Sequence, residues 1–411
     1  MLKKPFVLQW CLAFFVTGLL YLTRYHLSFF DSINWVQATD VYSYLVISSA
    51  APNLPADNIS YHFAQRWLPH YILGYLASFF NIDLGAAYVI SNGILVVSIL
   101  LLSGDILLRT ARDQIFGIFI YLLLTLSVFT FRLYIFVPGL LADLVFVLGL
   151  AVALKGCVDR RFSLILIGIL AATMGKQLVL LVLPGLALYI YVVWEGLVGR
   201  LRALFMSTSM SIVVITFYQF LIYTSANFAQ PNFITGKVLF AFFPWLVSDH
   251  FTLMLLAEHM FRILLPLLPF LLIWILVPGG LTHKLNVLKT GEVLAWVLMI
   301  LGPMAYAFLP GPEVQMGNQS RYVGTVMLPL AILVLKTLPD IKLKLCLVDY
   351  LVLGAALLLL SYHHRYTMLQ ASPMIFLATQ LLGMGVLASW MITRKTAVFS
   401  QSTVLSSPGG R

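Results

Sequence analysis

Charge is what this 411-residue chain has least of: Asp, Glu, Lys and Arg together make up 10% of it, against 61% hydrophobic residues. Water-soluble domains run near a quarter charged, so much of this surface has to be solvated by lipid. No polar stretch is long enough to build a second domain in water, apart from the segment between the first two apolar runs. Cysteine is as sparse. The three, Cys11, Cys157 and Cys346, lie inside or beside apolar runs, which argues against both a disulfide framework and a zinc site. A formal charge of +10 would suit nucleic acid. Here the basic residues stand singly between apolar runs and form no patch, so no nucleic-acid partner is expected.

What the chain has in quantity is long apolar runs, at 5–23, 84–104, 114–130, 141–154, 162–175, 178–194, 204–223, 263–277, 293–309, 322–335, 345–361 and 373–392. A helix needs roughly 20 residues to cross the hydrocarbon at about 1.5 Å per residue. The fold class read from this pattern is an all-α integral membrane protein of about 12 transmembrane helices. Residues 1–392 form one polytopic domain, and 393–411 a disordered cytosolic tail. The first run follows Lys3 and Lys4 without a small-residue cleavage pattern, so it reads as a retained anchor.

The stretch Gln65–Phe80 (QRWLPHYILGYLASFF) is apolar enough to tempt a thirteenth span. Charge decides against it. With that stretch lying at the outer surface, seventeen of the 25 basic residues fall in the even-numbered, cytosolic loops, as the positive-inside rule requires. Making it a span would put Lys155, Arg160 and Arg161 outside. It is therefore read as an interfacial or re-entrant helix within a long external segment, 24–83. Both termini are cytosolic in this topology, and the expected setting is a bacterial inner membrane.

Six cations, Arg66, Arg132, Lys176, Arg262, Arg321 and Arg365, stand at external edges of apolar runs, generally one per loop. Such side chains are expected at the outer interface, because a charge at the bilayer centre costs about 2.5–3.5 kcal/mol. Each could snorkel to headgroups; together they suit a phosphate held at the mouth of a bundle. Asp40 opens DVYSYLVISSA, an amphipathic stretch expected to hold it at the membrane surface. It precedes His62, Gln65 and Arg66, and Asp31 is the competing carboxylate. Tyr42 is a candidate binding residue beside Asp40, as is His62 beside Arg66.

One N-terminal helix, a long external loop bearing an acid, an Arg-x-Leu-Pro interfacial helix (Arg66 to Pro69) and then a many-helix bundle resemble the GT-C glycosyltransferases. Met174-Gly175-Lys176-Gln177, an apolar run and Pro184-Gly185 look like that superfamily's Gly-x-x-x-Lys … Pro feature. Arg132 to Asp143 resembles the short external stretch before it. The resemblance covers roughly residues 1–190, and the paired acidic motif of many members is missing. It implies transfer of a sugar from a polyprenyl-phosphate-linked donor to a glycan, lipid or protein acceptor on the external face. Topology points the same way, since nucleotide sugars are cytosolic and the candidate residues are external. Asp40, or alternatively Asp31, would take the acceptor proton as general base. The cations would stabilise the leaving phosphate.

No cofactor is expected, and a divalent metal stays open. The histidines lack zinc-ligand spacing. Two other functions compete. One is a polysaccharide polymerase or ligase using lipid-linked glycan, although such enzymes tend to place their large loop late in the chain. The other is a flippase or transporter of lipid-linked sugar, against which the nearly uncharged helix centres argue.

Overall fold

Apolar runs this long leave backbone hydrogen bonding to be satisfied within each segment, so they fold as helices. The computed structural model describes residues 4–24, 40–56, 59–230, 240–277, 286–287, 289–312, 318–338, 341–363, 367 and 372–401. Each of the twelve apolar runs coincides with helix. Six helices are long and apolar enough to cross a membrane unaided: Leu84–Thr110, Leu141–Asp159, Val179–Val198, Arg200–Ser225, Gly291–Phe308 and Pro373–Thr393. Two bent pairs, Gln114–Leu126 with Val128–Phe136 (41°) and Leu253–Leu264 with Leu268–Leu276 (67°), bring the number to eight if each is one span. Length and composition thus support six to eight spans.

Trp67–Phe79, inside the stretch in doubt, has only 13 residues. At about 1.5 Å per residue it reaches some 20 Å, short of the hydrocarbon thickness, as are Phe162–Gly175 and Leu347–Leu360 with 14 residues each. Its first half buries Trp67, Pro69, His70, Leu73 and Gly74, and its end leaves Tyr75, Leu76 and Phe79 exposed. Asp40–Ala50 packs one face against protein, burying Val41, Tyr44, Ile47 and Ser48, and leaves Tyr42 on the other face exposed. Gly74 allows this, because a Cβ there would stand 1.9 Å from the Ser48 carbonyl oxygen. The helix from Pro373 runs on to Val398, past the expected start of the tail at 393. Residues 402–411 lie outside the described ones.

The tightest seam joins Leu141–Asp159 to Phe162–Gly175, two helices linked through Arg160 in the left-handed region (φ 54°). A Cβ on Gly168 would stand 2.6 Å from the Gly149 carbonyl oxygen, and one on Gly175 2.4 Å from that of Ala142. Small residues let membrane helices touch backbone to backbone where no hydrophobic force separates protein from lipid. The seam fixes which residues at its open end become neighbours.

Helix direction alternates through the bundle, which sorts ionisable groups to two poles. One pole holds a ring of Asp105, Arg109, Lys155 and Asp159, with Lys155 Nζ 2.6 Å from Asp105 and Arg109 Nε 2.7 Å from it, and a separate pair between Lys336 and Glu292. The opposite pole collects Arg66, Arg132, Asp143, Lys176 and Arg321. There two loop segments also pair: Ile59–Ser60 runs parallel to Ala229–Gln230, and Tyr218 donates to Gln65 at 2.8 Å.

Candidate functional site

Four segments meet at the second pole, and each brings one charge. Asp143 lies in the first turn of Leu141–Asp159. Lys176 occupies the break after Gly175, before Val179–Val198 begins. Arg66 sits in the turn between Tyr61–Ala64 and Trp67–Phe79. Arg321 belongs to the short helix Gln319–Gly324, which lies close enough to Phe129 that a Cβ on Gly324 would stand 2.1 Å from the Phe129 carbonyl oxygen.

Asp143 takes both of its neighbours at once. Lys176 Nζ is 2.8 Å from Oδ1, and Arg321 Nε donates to Oδ2. Asp143 and Lys176 are each about 1% exposed. The ammonium also lies 4.7 Å from the centroid of the Tyr322 ring, itself edge-on to Tyr306. A carboxylate with two such partners has its charge balanced in place.

Arg66, 2% exposed, forms the second half of the site. It donates through Nε to Gln177 Oε1 (3.1 Å) and through Nη1 to Tyr44 Oη (3.1 Å), and its Nη2 lies 2.9 Å from His62 Nε2. Arg66 beside it, and after that burial, holds His62 far below its ordinary value, at about 2. Lys176 and Arg321 push the same way, and Asp143 opposes them. Formally the cluster of Arg66, Asp143, Lys176 and Arg321 carries three cations against one carboxylate. That excess suits an anionic ligand with several oxygens.

Behind Arg66 lies a support. The Tyr44 ring stacks on His70 at 4.1 Å and 7°. His70 Nδ1 is 2.9 Å from Tyr88 Oη, which is 2.6 Å from Ser48 Oγ, and Ser48 donates to the Tyr44 carbonyl. The chain runs in one direction if Nδ1 carries the proton, leaving Nε2 as a bare buried nitrogen. Burial pushes His70 down to about 3, so the ring stays neutral and holds Tyr44 in place.

Of the six edge cations, then, Arg66, Lys176 and Arg321 come together. Arg66 and Lys176 are buried in protein and Arg321 is half-buried against Asp143, so these three do not snorkel to the outer interface. Arg132 goes elsewhere, to Thr23 at 2.9 Å and to Ser361. It lies in a π-helical turn, Val128–Arg132, at the bend between two helices. Arg262 pairs with Glu258 on an exposed face. Arg365 lies outside the described residues, as does Asp31. Asp40 begins its helix, but its side chain lies outside the described ones. Tyr42 is 52% exposed and is not among the residues at the cluster; Tyr44, on the other face of the same helix, is the tyrosine that meets Arg66.

Asp143, Tyr44, Gln177 and His70 had no assigned role from sequence. A signal for Asp143 was present: an acid one turn into an otherwise apolar run has to be paired. Among the described residues no three His, Cys, Asp or Glu side chains gather as a metal site. Comparison with protein-family models, with curated proteins and with solved structures gave no match to this chain.

Proposed function

We propose that this chain is a membrane glycosyltransferase of the GT-C kind, drawing on a polyprenyl-phosphate-linked sugar. Its acceptor is a glycan, lipid or protein at the pole of Arg66, Lys176 and Arg321. The observation that carries this reading is the meeting of those three cations, from three separate segments, around a single buried carboxylate. In this reading about twelve helices span a bacterial inner membrane, and the charge distribution favours both termini on its cytosolic side.

The reaction needs one base and one cationic cradle. The acceptor hydroxyl gives its proton to Asp40, or to Asp31, and its oxygen forms the new bond at the anomeric carbon. The bond from that carbon to the phosphate oxygen breaks, and the electron pair leaves with the phosphate, whose charge Arg66 and its neighbours stabilise. A phosphate is already a good leaving group, so the second acid of a glycosidase is not required. Asp143, held between Lys176 and Arg321, orients those cations.

The test is transfer from a panel of radiolabelled polyprenyl-phosphate sugars, with purified protein in nanodiscs, comparing wild type with Asp40→Asn, Asp31→Asn and Arg66→Ala. Loss of transfer in one Asp variant with donor binding kept identifies the base. Loss of donor binding in Arg66→Ala supports the cradle. A wild type that transfers no sugar removes the reading.

The two bent helix pairs favour a second reading, since interrupted helices are a mark of transporters. A flippase for the same lipid-linked sugar would bind donor, transfer nothing, and move labelled lipid between leaflets of a proteoliposome.

A further inference from the structure

His62, Arg66 and Gln177 form a closed triangle whose hydrogen bonds do not balance. Two edges come from Arg66, to Gln177 Oε1 and His62 Nε2; the third is His62 Nδ1 to Gln177 Nε2 at 3.2 Å. Arginine only donates, so Nε2 must be the bare nitrogen of the imidazole. The neutral ring then carries its hydrogen on Nδ1. That hydrogen faces the amide nitrogen of Gln177, which is also a donor. Turning the amide over gives His62 an oxygen and leaves Arg66 Nε facing an NH2 group. In either arrangement one N–H lacks an acceptor.

Lys176 and Arg321 are turned toward Asp143, and the buried Lys176 ammonium adds N–H groups with no acceptor among the described residues to the same pole. Arg66 has five N–H groups and three acceptors among the described residues. It is buried, whereas His62 and Gln177 are half-buried, so two corners of the triangle retain some exposure.

We propose that His62, Arg66 and Gln177 form an oxyanion subsite that takes a phosphoryl oxygen of the lipid-linked donor, and that His62 gains a proton as the anion arrives. This rests on reading the pole as a phosphate site. It goes further by placing the anion at the Arg66 corner and by coupling its binding to a proton. The proton comes from water to Nε2. Arg66 Nη2 then turns its hydrogens to the anion, and the imidazolium donates from both nitrogens.

The groups that face His62 make the coupling one-directional. Arg66 stands in the turn after its own short helix, Gln177 and Lys176 in the break after Gly175, Arg321 on Gln319–Gly324 and Asp143 on Leu141–Asp159. Phe63 lies edge-on at 5.4 Å. Before an anion binds, the three cations and burial keep the ring neutral, with Asp143 alone opposing. A bound anion opposes that field and raises the proton affinity of His62. By linkage, the bound form holds more protons than the free form, so anion affinity rises as pH falls.

Sulfate is the suitable probe, being a tetrahedral dianion that does not titrate near neutrality. Calorimetry on the full chain in nanodiscs, at constant ionic strength and in two buffers of different ionisation enthalpy, should register uptake of about one proton per sulfate. Affinity should rise about tenfold per unit fall in pH below the bound-state value of His62. His62→Asn keeps an acceptor for Arg66 and should bind sulfate with no proton uptake. Gln177→Glu supplies the missing acceptor internally and should weaken sulfate at least tenfold while raising the unfolding temperature. Sulfate that does not bind, binds without a proton, or keeps its pH slope in His62→Asn overturns the proposal. Absence of the subsite in a protein that still transfers sugar leaves the transferase standing. Proton-linked sulfate binding without transfer from any donor keeps the subsite and removes the transferase.

Discussion

Lys176 Nζ lies 2.8 Å from Asp143 Oδ1 in the protein interior, and the residues just before them, Gly175 and Ala142, touch backbone to backbone. The ion pair is thus a product of helix packing. A seam of small residues brings two helix ends together at one height, and the next residue on each strand of the seam is charged. Arg321 and Arg66 are delivered by two further close contacts, at Gly324 against Phe129 and at Gly74 against Ser48.

Removing the shared carboxylate should be costly. Asp143→Asn leaves Lys176 and Arg321 facing each other without compensation, and breaking a buried pair in this way destabilises by about 3–5 kcal/mol. Asp143→Asn combined with Lys176→Met should lose less than Asp143→Asn alone, because one stranded charge is gone. Thermal unfolding of detergent-purified protein separates these cases. Equal stability of the single and double variants would show that the charges are not coupled.

The seam itself is testable without touching a charge. Gly168→Ala places a methyl 2.3 Å from the Ala153 backbone nitrogen, and such overpacking destabilises by about 1–3 kcal/mol. Gly354→Ala, where nothing lies within 4 Å, should be neutral or slightly stabilising because alanine is the better helix former. Gly175→Ala should lose donor binding beyond its loss of stability, since it displaces Lys176 from Asp143. The readouts are unfolding temperature for the first two and donor binding for the third.

How much of this was legible beforehand follows from what a linear pattern encodes. Apolar runs and charge asymmetry state how high along the bundle axis a residue sits, so the helices and the pole of Arg66, Lys176 and Arg321 could be read. They do not state the angle around the axis. Arg132 and Arg262 stand at the same height as the other three, yet face Ser361 and Glu258. The same ambiguity misplaced the tyrosine: residues 42 and 44 lie on opposite sides of a helix, and the DVYSYLVISSA pattern offers apolar neighbours to both. Asp143 was overlooked for a different reason. It sits not in a loop but inside an apolar run, where its cost demands partners.

The division among the edge cations has a direct consequence for substitutions. Arg66→Lys keeps the charge but loses the planar fork that reaches Gln177, Tyr44 and His62, and a point charge cannot replace it. Donor binding should weaken at least tenfold. Arg262→Ala removes only an exposed pair with Glu258, which is worth about 0–1 kcal/mol, and should leave donor binding unchanged. Equal effects from both variants would argue against a site centred on Arg66.

His70 supplies a pH dependence of stability. Its value in the folded chain, about 3, lies below the ordinary one near 6.5. Between those limits the unfolded chain binds more protons than the folded chain. Stability present above about pH 6.5 is therefore lost as pH falls toward 3, at about 1.4 kcal/mol per pH unit. His62 acts in the same direction. The unfolding temperature should drop steadily on acidification from neutrality, and His70→Asn should flatten that slope by one proton. An unchanged slope would place the titration on other groups.

Orientation in the membrane decides whether the charged pole can meet an external donor. The segment around Val247 belongs to the pole of Arg66: the amide of Phe242 bonds the Leu309 carbonyl (2.9 Å) beyond the end of Gly291–Phe308, and Ala229–Gln230 pairs with Ile59–Ser60. Leu201, one residue into Arg200–Ser225, marks the other pole, between Arg200 and Arg202. Both positions are open, Val247 at 87% and Leu201 at 83% exposure. The basic residues gather at the Leu201 pole, which should therefore face the cytosol. In intact cells an impermeant maleimide should label Val247→Cys and spare Leu201→Cys, with the native cysteines replaced first, since Cys11 and Cys346 are exposed. Labelling of Leu201→Cys instead would turn the Arg66 pole to the cytosol, where nucleotide-linked sugars are at hand, and the argument for a lipid-linked donor would lose its topological support.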